Sequence, residues 1–227
     1  MGDGVVGEGA GEQRSLLDLT VRELLDAVAA KTSAPGGGAV AALAAALAAG
    51  LTGMAARYGV PGVPVPDGPS AESIRAGRLS PEALGSIAEQ ADSLRERAAA
   101  LVDADVDAYA AYLAAVRRPR DDPRRRGAVE TATEGAAAVP AEIAEVGAAV
   151  SELALTLRHR SNPNLHGDVV AAVLLAAAST TAASTLVREN LGHRPRDPRL
   201  ARAGDLSREA VRRMYSATGE RQPGRAT

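Results

Sequence analysis

The sequence predicts an all-α fold, a bundle of about six to seven long antiparallel helices. Apolar residues recur at three- and four-residue steps over long stretches, and no segment shows the two-residue alternation of a strand. The apolar residues are mostly Ala, Leu and Val, with no Phe or Trp, which favours closely packed helices. With 227 residues the chain can bury a core, and we expect one domain over residues 15–217 between disordered tails at 1–14 and 218–227.

The composition argues against several classes of function. The chain has no cysteine, so a disulfide, a thiol nucleophile and a cysteine metal site are excluded. The net charge of -2 gives no basic field that would favour nucleic acid. The first fifteen residues are Gly-rich and acidic, so we expect no signal peptide and a cytoplasmic protein. Residues 33–56 are uncharged and long enough to span a bilayer, but they are mostly Ala and Gly, and we expect no membrane partner.

The first predicted helix is short. Residues 20–23, Thr-Val-Arg-Glu, have the form of a capping box and predict a helix that runs to about Lys31. Its apolar side chains, which we expect to face inward, are Val21, Leu24, Leu25 and Val28.

The next helix follows three glycines and ends near Tyr58. Its large apolar residues form one stripe: Val40, Leu43, Leu47, Leu51, Met54 and Tyr58. Small residues that let another helix approach closely form a second stripe: Ala42, Ala46, Gly50 and Gly53. A helix that can pack on two sides is expected at the centre of the bundle.

The later elements are set by prolines and caps. Ser80-Pro81-Glu82 is a strong helix start, and we expect a loop before it at 59–79. Pro140 is expected to begin a helix, and Asp168 to cap another. The helices predicted after the glycine turn cover residues 39–58, 81–118, 124–138, 140–157, 168–190 and 207–217.

The run Thr32-Ser33-Ala34-Pro35-Gly36-Gly37-Gly38 is the first candidate site. Glycines leave the backbone bare and free to take positive φ. The helix behind them offers unpaired N–H groups and the positive end of its dipole, which suit an anion. The alternative is an ordinary turn, and the glycines alone do not decide between the two.

Asp105 is the most informative single residue. It lies on the apolar stripe of the 81–118 helix, at a position where Leu or Ala is expected, whereas Asp103 and Asp107 point away from that stripe. Burial of a carboxylate is costly and raises its pKa, which suits a general acid/base. The alternatives are a structural Asp paired with an Arg of another helix, or an apolar stripe that reaches the surface at this point.

The stretch from Asn162 to Asp168 is the second polar constellation. Its Asn-Pro-Asn sequence is common turn chemistry, but the turn also offers two amides and a carboxylate to a ligand. His159 and His166 lack partners at metal-ligand spacing, so no metal site is predicted. No Gly-Lys-Ser/Thr follows the glycines and no Gly-x-Ser-x-Gly occurs, so neither a P-loop nor that type of serine hydrolase is supported.

Four motifs in this order resemble the cyclodeaminase/cyclohydrolase family. That family includes the cyclodeaminase domain of formiminotransferase-cyclodeaminase and bacterial methenyltetrahydrofolate cyclohydrolases. The resemblance covers about residues 15–215. Its four parts are Ala34-Pro35-Gly36-Gly37-Gly38-Ala39, the stretch 101–109 around Asp105, Val139-Pro140-Ala141, and 162–168 with the later Asn190-Leu191.

The resemblance implies an all-α homodimer that acts on a one-carbon-substituted tetrahydrofolate. The reaction would be hydrolysis of the 5,10-methenyl bridge to the 10-formyl form, or closure of the 5-formimino form with loss of ammonia. Neither implies a metal or a cofactor. Asp105 would be the general acid/base, with Asp168 as a second catalytic residue. The residues implied to bind the folate are Pro35, Gly36, Gly37, Gly38, Asn162, Asn164, His166 and Asn190.

The chain departs from the family pattern at two serines, which are replaced by Ala39 and Gly167, and it lacks the lysines of a later turn. Two alternatives therefore stay open. One is a family member recruited to another cyclic amidine or imine substrate. The other is a non-catalytic helical dimer that binds a ligand.

Overall fold

The computed structural model describes residues 14–59 and 77–220 and confirms the all-α class. Throughout those residues the regular structure is helical, with two short 3-10 turns at Leu16–Asp18 and Pro163–Leu165. The six α-helices described are α1 (Val21–Ala29), α2 (Gly37–Arg57), α3 (Pro81–Val116), α4 (Arg125–Leu157), α5 (His166–Leu191) and α6 (Pro198–Thr218). The predicted tails fall almost wholly outside the described residues, as do positions 60–76 of the predicted loop.

The helices from α2 to α6 run up and down. The helices α2 and α4 pack against each other and each also packs against α3 and α5, so they separate α3 from α5. The helix α6 covers α4 and α5 on the outside. One end of the bundle therefore holds the starts of α2, α4 and α6 and the ends of α3 and α5.

The buried face of α2 is its small-residue face. Ala42, Ala45 and Ala49 are fully or almost fully buried, whereas Val40 and Leu47 of the predicted large-residue stripe are exposed, Leu47 by 64%. Alanine lets the neighbouring backbones approach, and Ser179 of α5 donates a hydrogen bond of 2.7 Å to the Ala41 carbonyl. The central position expected for this helix is correct, but its main packing surface is the small-residue face.

The inward stripe predicted for α1 is wrong. The helix has its Thr20–Glu23 capping box, with both reciprocal hydrogen bonds present, but none of its residues is buried. Val21 and Leu25 are 75% and 65% exposed. The cap fixed where α1 begins, but the rest of the described chain does not cover its apolar side.

Pro140 lies inside α4 and does not begin a helix, so the predicted break at 138–140 is wrong. Proline lacks an N–H, and its presence leaves the carbonyl four residues earlier, that of Ala136, without a helical partner. The side-chain amide of Asn190 on α5 donates to that carbonyl at 2.6 Å. A residue 54 positions further along the chain thus satisfies the carbonyl that proline frees.

Two other predicted helix starts are corrected. The helix α6 begins at Pro198 and not near Ser207, because the Asp197 carboxylate accepts from the Arg199 N–H at 3.0 Å and caps it. The helix α5 begins at His166, so Asp168 lies within its first turn and does not cap it. The side chain of Asn162 instead caps the 3-10 turn that precedes α5.

Two helical stretches are long and apolar enough to cross a membrane by length and composition, Gly37–Arg57 and Pro163–Leu191. In the fold, 56% and 50% of their apolar windows are buried. Both are core helices of the bundle, so packing against their neighbours accounts for much of their apolar character.

The close crossing of α4 and α5 provides a stability test. A Cβ at Gly147 of α4 would lie 2.6 Å from the Thr180 hydroxyl and 3.2 Å from the Ala176 carbonyl on α5, whereas a Cβ at Gly85 of α3 would meet nothing. We expect Gly147→Ala to lower the free energy of unfolding by about 1–2 kcal/mol through overpacking. Gly85→Ala should raise it by about 0.5–1 kcal/mol because alanine costs less backbone entropy. Urea unfolding of both variants measures the change in the free energy of unfolding. Effects of the same sign would contradict the close contact between α4 and α5 at Gly147.

Candidate active site

A cavity of about 440 Å³ opens at the end of the bundle where α2 begins and α5 ends. Each long helix contributes residues spaced three or four apart, which places them on one face. The helix α3 contributes Asp105, Ala108, Tyr109 and Tyr112; α4 contributes Thr133, Ala136 and Pro140; α5 contributes Leu186, Glu189 and Asn190. The remaining wall consists of Ser33, Ala34, the three glycines 36–38, Val106 and His193.

Asp105 is bonded to the first turn of α2. Its Oδ2 accepts a hydrogen bond of 3.0 Å from the Ala39 N–H. Gly36 occupies the N-cap position of α2 but has no side chain to cap the free N–H groups there. Asp105 therefore acts as the cap of α2 from a neighbouring helix.

Gly38 is the glycine that this contact requires. A Cβ at Gly38 would lie 1.9 Å from Oδ1 of Asp105, whereas Gly36 has open space and Gly37 meets only Leu186, at 4.0 Å. None of the three takes a positive φ; Gly36 is extended, with φ of -117°. The turn therefore uses glycine for close approach of a carboxylate and not for unusual backbone angles.

The Asp105 carboxyl is a half-buried acid. Burial raises the pKa of Asp105 above the ordinary value of 3.8, and the hydrogen bond from Ala39 opposes that rise without cancelling it. A carboxyl group whose pKa moves towards neutrality can both accept and donate a proton near physiological pH.

A pair of tyrosines lies beside Asp105. The rings of Tyr109 and Tyr112 are stacked, with centroids 6.5 Å apart and an interplanar angle of 27°. The chain has only four tyrosines and no Phe or Trp, yet two of the four line this cavity. They were not among the predicted site residues, although their spacing of four and seven residues after Asp105 placed all three on one helix face.

Asn190 also lines the cavity, together with the glycine turn with which it was predicted to bind the substrate. One N–H of its amide is used by the Ala136 carbonyl, so the amide oxygen and the second N–H are left for a ligand. Pro35 is half-buried within the same turn and follows Ala34 through a cis peptide bond.

The second polar constellation lies at the other end of the bundle. Asn162 and His166 line a separate cavity of about 360 Å³. Asn164 donates its N–H to the Asn162 side chain at 3.0 Å, and Asp168 follows in α5. The 24 residues of α5 from His166 to Asn190 correspond to about 36 Å. Within one chain, therefore, the structure does not bring Asn162, Asn164, His166 and Asp168 together with Asp105.

An ion-pair network fixes the connection between α5 and α6 beside the cavity. Glu134 of α4 pairs with Arg194 and with Arg199, the latter at 2.8 Å, and Arg199 also pairs with Asp197 at 2.7 Å. The hydrogen bonds from Arg199 lower the pKa of Asp197 to about 2. Among the described residues, no three His, Asp or Glu side chains cluster closely enough to hold a metal ion.

The family described as formiminotransferase-cyclodeaminase matches residues 20–203, which include every residue that lines the Asp105 cavity. The chain belongs to this family. The match confirms the family that the four motifs indicated.

The relatives carry the names of folate enzymes. The chain is 35% identical to rat formimidoyltransferase-cyclodeaminase over 144 residues, which cover 60% of this chain and 24% of the relative. The mouse protein of the same name is 32% identical over 70% of this chain and 28% of its own length. The chain thus spans only about a quarter of the length of these mammalian relatives. A methenyltetrahydrofolate cyclohydrolase of Methylorubrum extorquens is 26% identical over 75% of this chain and 78% of the relative.

A solved structure has the same fold. The formiminotetrahydrofolate cyclodeaminase of Thermotoga maritima superposes with a TM-score of 0.70, at 21% identity, over 90% of this chain and 94% of that one. The two chains therefore share the same all-α architecture over nearly their whole length.

The raised pKa of Asp105 makes stability depend on pH. The unfolded carboxyl ionises near 3.8 and the folded one at a higher pH, so ionisation costs folding stability. The loss begins as the pH rises past the unfolded pKa and is complete above the folded pKa. Asn at this position stays neutral and keeps an oxygen for the Ala39 N–H. We therefore expect the stability of Asp105→Asn relative to wild type to be higher at pH 7 than at pH 3.5. Thermal unfolding of both proteins at the two pH values measures this difference.

Asp107→Asn, at an exposed position on the same helix, is the matched control. It should show no such difference between the two pH values. An equal effect of Asp105→Asn at pH 7 and pH 3.5 would contradict the rise in the pKa of Asp105.

Proposed function

We propose that this chain is an enzyme that acts on a one-carbon-substituted tetrahydrofolate, with hydrolysis of 5,10-methenyltetrahydrofolate to the 10-formyl form as its reaction. The observation that carries the proposal is the Asp105 carboxyl, half-buried with a raised pKa and held over Gly38 at the wall of a 440 Å³ cavity. Cavities of about 300–1,000 Å³ are typical of small-molecule sites. Membership of a family whose relatives are named for folate reactions supports the substrate class.

The chemistry needs a group that can take and return a proton. In the hydrolysis, water attacks the cationic bridge carbon, and the Asp105 carboxylate accepts one proton of that water. The resulting carboxylic acid then protonates the ring nitrogen as its bond to carbon breaks, and the carbinol proton leaves as the formyl group forms. The carbon keeps its oxidation level, so the reaction requires no redox cofactor, and the carbon is already cationic, so it requires no Lewis acid.

Cyclodeamination of 5-formiminotetrahydrofolate is the second candidate reaction. Here the second folate nitrogen attacks the formimino carbon, its proton passes to Asp105, and the same acid protonates the departing ammonia. The same half-buried carboxyl supports both reactions. The names of the solved relative and the mammalian relatives favour this one, and the name of the bacterial relative of comparable length favours the first.

The walls of the cavity suit a flat, electron-poor ring. The faces of Tyr109 and Tyr112 provide aromatic contact, and a cation over such a face is attracted by the ring. The bare backbone of the glycine turn provides another surface, and Asn190 offers an oxygen acceptor. Among the described residues, neither Lys nor Arg lines the cavity. The side chains of the cavity would therefore contact mainly the amidine group and its ring. Because other molecules also contain such a group, another cyclic amidine or imine is the alternative substrate.

The test is loss of the near-ultraviolet absorbance of 5,10-methenyltetrahydrofolate on addition of the purified chain. We expect acceleration over the spontaneous rate, and Asp105→Asn should lower kcat by about 10²–10⁴-fold, the usual contribution of general acid–base catalysis. Gly38→Ala should also impair kcat, because its methyl group displaces the carboxylate. Asp107→Asn should behave as wild type.

Absence of acceleration would overturn the cyclohydrolase assignment, and release of ammonia from 5-formiminotetrahydrofolate would then identify the cyclodeaminase. Folate binding without turnover of either compound would indicate a non-catalytic binding protein. Full activity in Asp105→Asn would show that another residue moves the proton.

We also propose that the chain works as a homodimer. The apolar side chains that α1 and α2 leave exposed support this, with Val21 and Leu25 on α1 and Val40 and Leu47 on α2. Apolar side chains that stay exposed on neighbouring elements are typical of an interface, and a second copy of the same chain offers a self-complementary partner.

Charge on this surface should therefore dissociate the dimer. We expect wild type to sediment as a dimer and the double variant Leu25→Glu/Leu47→Glu as a monomer with unchanged helix content. Ala100→Glu, exposed on α3, is the control and should leave the dimer intact. A monomeric wild type at micromolar concentration would overturn the proposal.

A further inference from the structure

The Asp105 cavity contains two titratable side chains that the chemistry above does not use. They are Glu189, on the last turn of α5, and His193, two residues after the end of that helix. Glu189 precedes His193 by four residues, and both line the cavity together with Leu186 and Asn190. The 186–193 stretch thus presents one continuous face to the cavity.

This face lies across the cavity from Asp105. Asp105 belongs to α3, and α2 and α4 separate α3 from α5. A flat ligand that occupies the space between the two helices would have the carboxyl group on one side and the imidazole on the other.

The backbone around His193 is fixed from both sides. Before it, the Asn190 amide is bonded to the Ala136 carbonyl of α4 at 2.6 Å. After it, the Arg194 N–H donates to the Leu191 carbonyl at 2.7 Å, and the Arg194 side chain pairs with Glu134. Glu134 is the neighbour of Thr133, which lines the same cavity. The connection is therefore docked on α4 at the level of the cavity.

We propose that His193 is a second catalytic residue of this site and carries a proton on the side of the substrate opposite Asp105. This rests on the proposed function. It assigns the two proton transfers of the reaction to two groups, where the mechanism above gave both to Asp105.

The proton balance for hydrolysis is as follows. The Asp105 carboxylate takes a proton from the water that attacks the bridge carbon. The His193 imidazolium gives its proton to the ring nitrogen as the carbon–nitrogen bond breaks, and the bonding electron pair stays with nitrogen. The neutral imidazole then takes the proton of the protonated formyl oxygen, and the Asp105 carboxyl releases its proton to solvent. The net result is one water consumed and one proton released.

The other charged and titratable groups lie in the cavity and in the adjoining network. These are Asp105, Tyr109 and Tyr112 on α3, Glu134 on α4, Glu189 on α5, and Arg194, Asp197 and Arg199 around the connection to α6. Glu134 and Asp197 are already paired with arginines, so Glu189 and Asp105 are the carboxylates of the cavity itself.

The test is kcat of the full chain with 5,10-methenyltetrahydrofolate as a function of pH, with and without added imidazole. We expect His193→Gln to lower kcat about 10–100-fold with little change in KM and to alter the pH profile of kcat, because one of the two groups that transfer protons is removed. Exogenous imidazole should partly restore kcat in His193→Ala but not in Asp105→Asn.

Arg196→Gln is the control, because Arg196 is exposed on the same connection and lines neither cavity; its profile should match wild type. His193 is itself exposed, so thermal unfolding should confirm that His193→Gln folds normally. An active wild type whose kcat and pH profile are unchanged in His193→Gln would overturn this inference alone. A wild type without activity on either folate compound would overturn the proposed function and this inference with it.

Discussion

The hydrogen bond between Asp105 and the Ala39 N–H joins the two helices on which the candidate site depends. It caps α2, whose own N-cap residue is a glycine, and it requires the missing side chain of Gly38. The approach that makes the bond also removes half of the carboxyl group from water, and this desolvation raises its pKa. Helix capping, glycine at position 38 and the acid/base character of Asp105 are therefore one arrangement. A change to any of the three residues would disturb the others.

The packing around α2 follows from a composition without large aromatic core residues. When alanine faces fill the interior, the helices approach closely and the larger side chains of α2 have less room inside. Val40 and Leu47 consequently remain on the surface, near in sequence to the uncovered apolar face of α1. This explains why, of the two faces of α2 that were predicted to pack, the large-residue stripe is the one that stays partly exposed. It also gives a physical origin for an apolar surface that a second chain could cover.

The fold class, most of the helices and the partial burial of Asp105 could be predicted from the sequence because each depends on local signals. The helical periodicity, the capping residues and the single polar residue on an apolar stripe can each be identified from a stretch of sequence only a few helical turns long. The uninterrupted α4 could not be predicted in this way, since the carbonyl freed by Pro140 is satisfied by Asn190 on another helix. The start of α6 was readable from Asp197-Pro198, which repeats the Ser80-Pro81 pattern, but was missed. The tyrosine pair was equally readable from its spacing relative to Asp105.

The predicted site joined motifs that follow one another in the chain, and the fold separates two of them. The helix α5 carries Asn190 at the Asp105 cavity and His166 at the opposite end, about 36 Å away. No rotation of side chains closes that distance, and α5 is buried along its length among α2, α4 and α6. A contribution of the Asn162–Asp168 turn to the Asp105 cavity therefore requires a second copy of the chain, arranged so that the far end of one bundle meets the cavity of the other. The folate-binding role predicted for that turn thus depends on the dimer, whereas the roles proposed for Asp105, Asn190 and His193 do not.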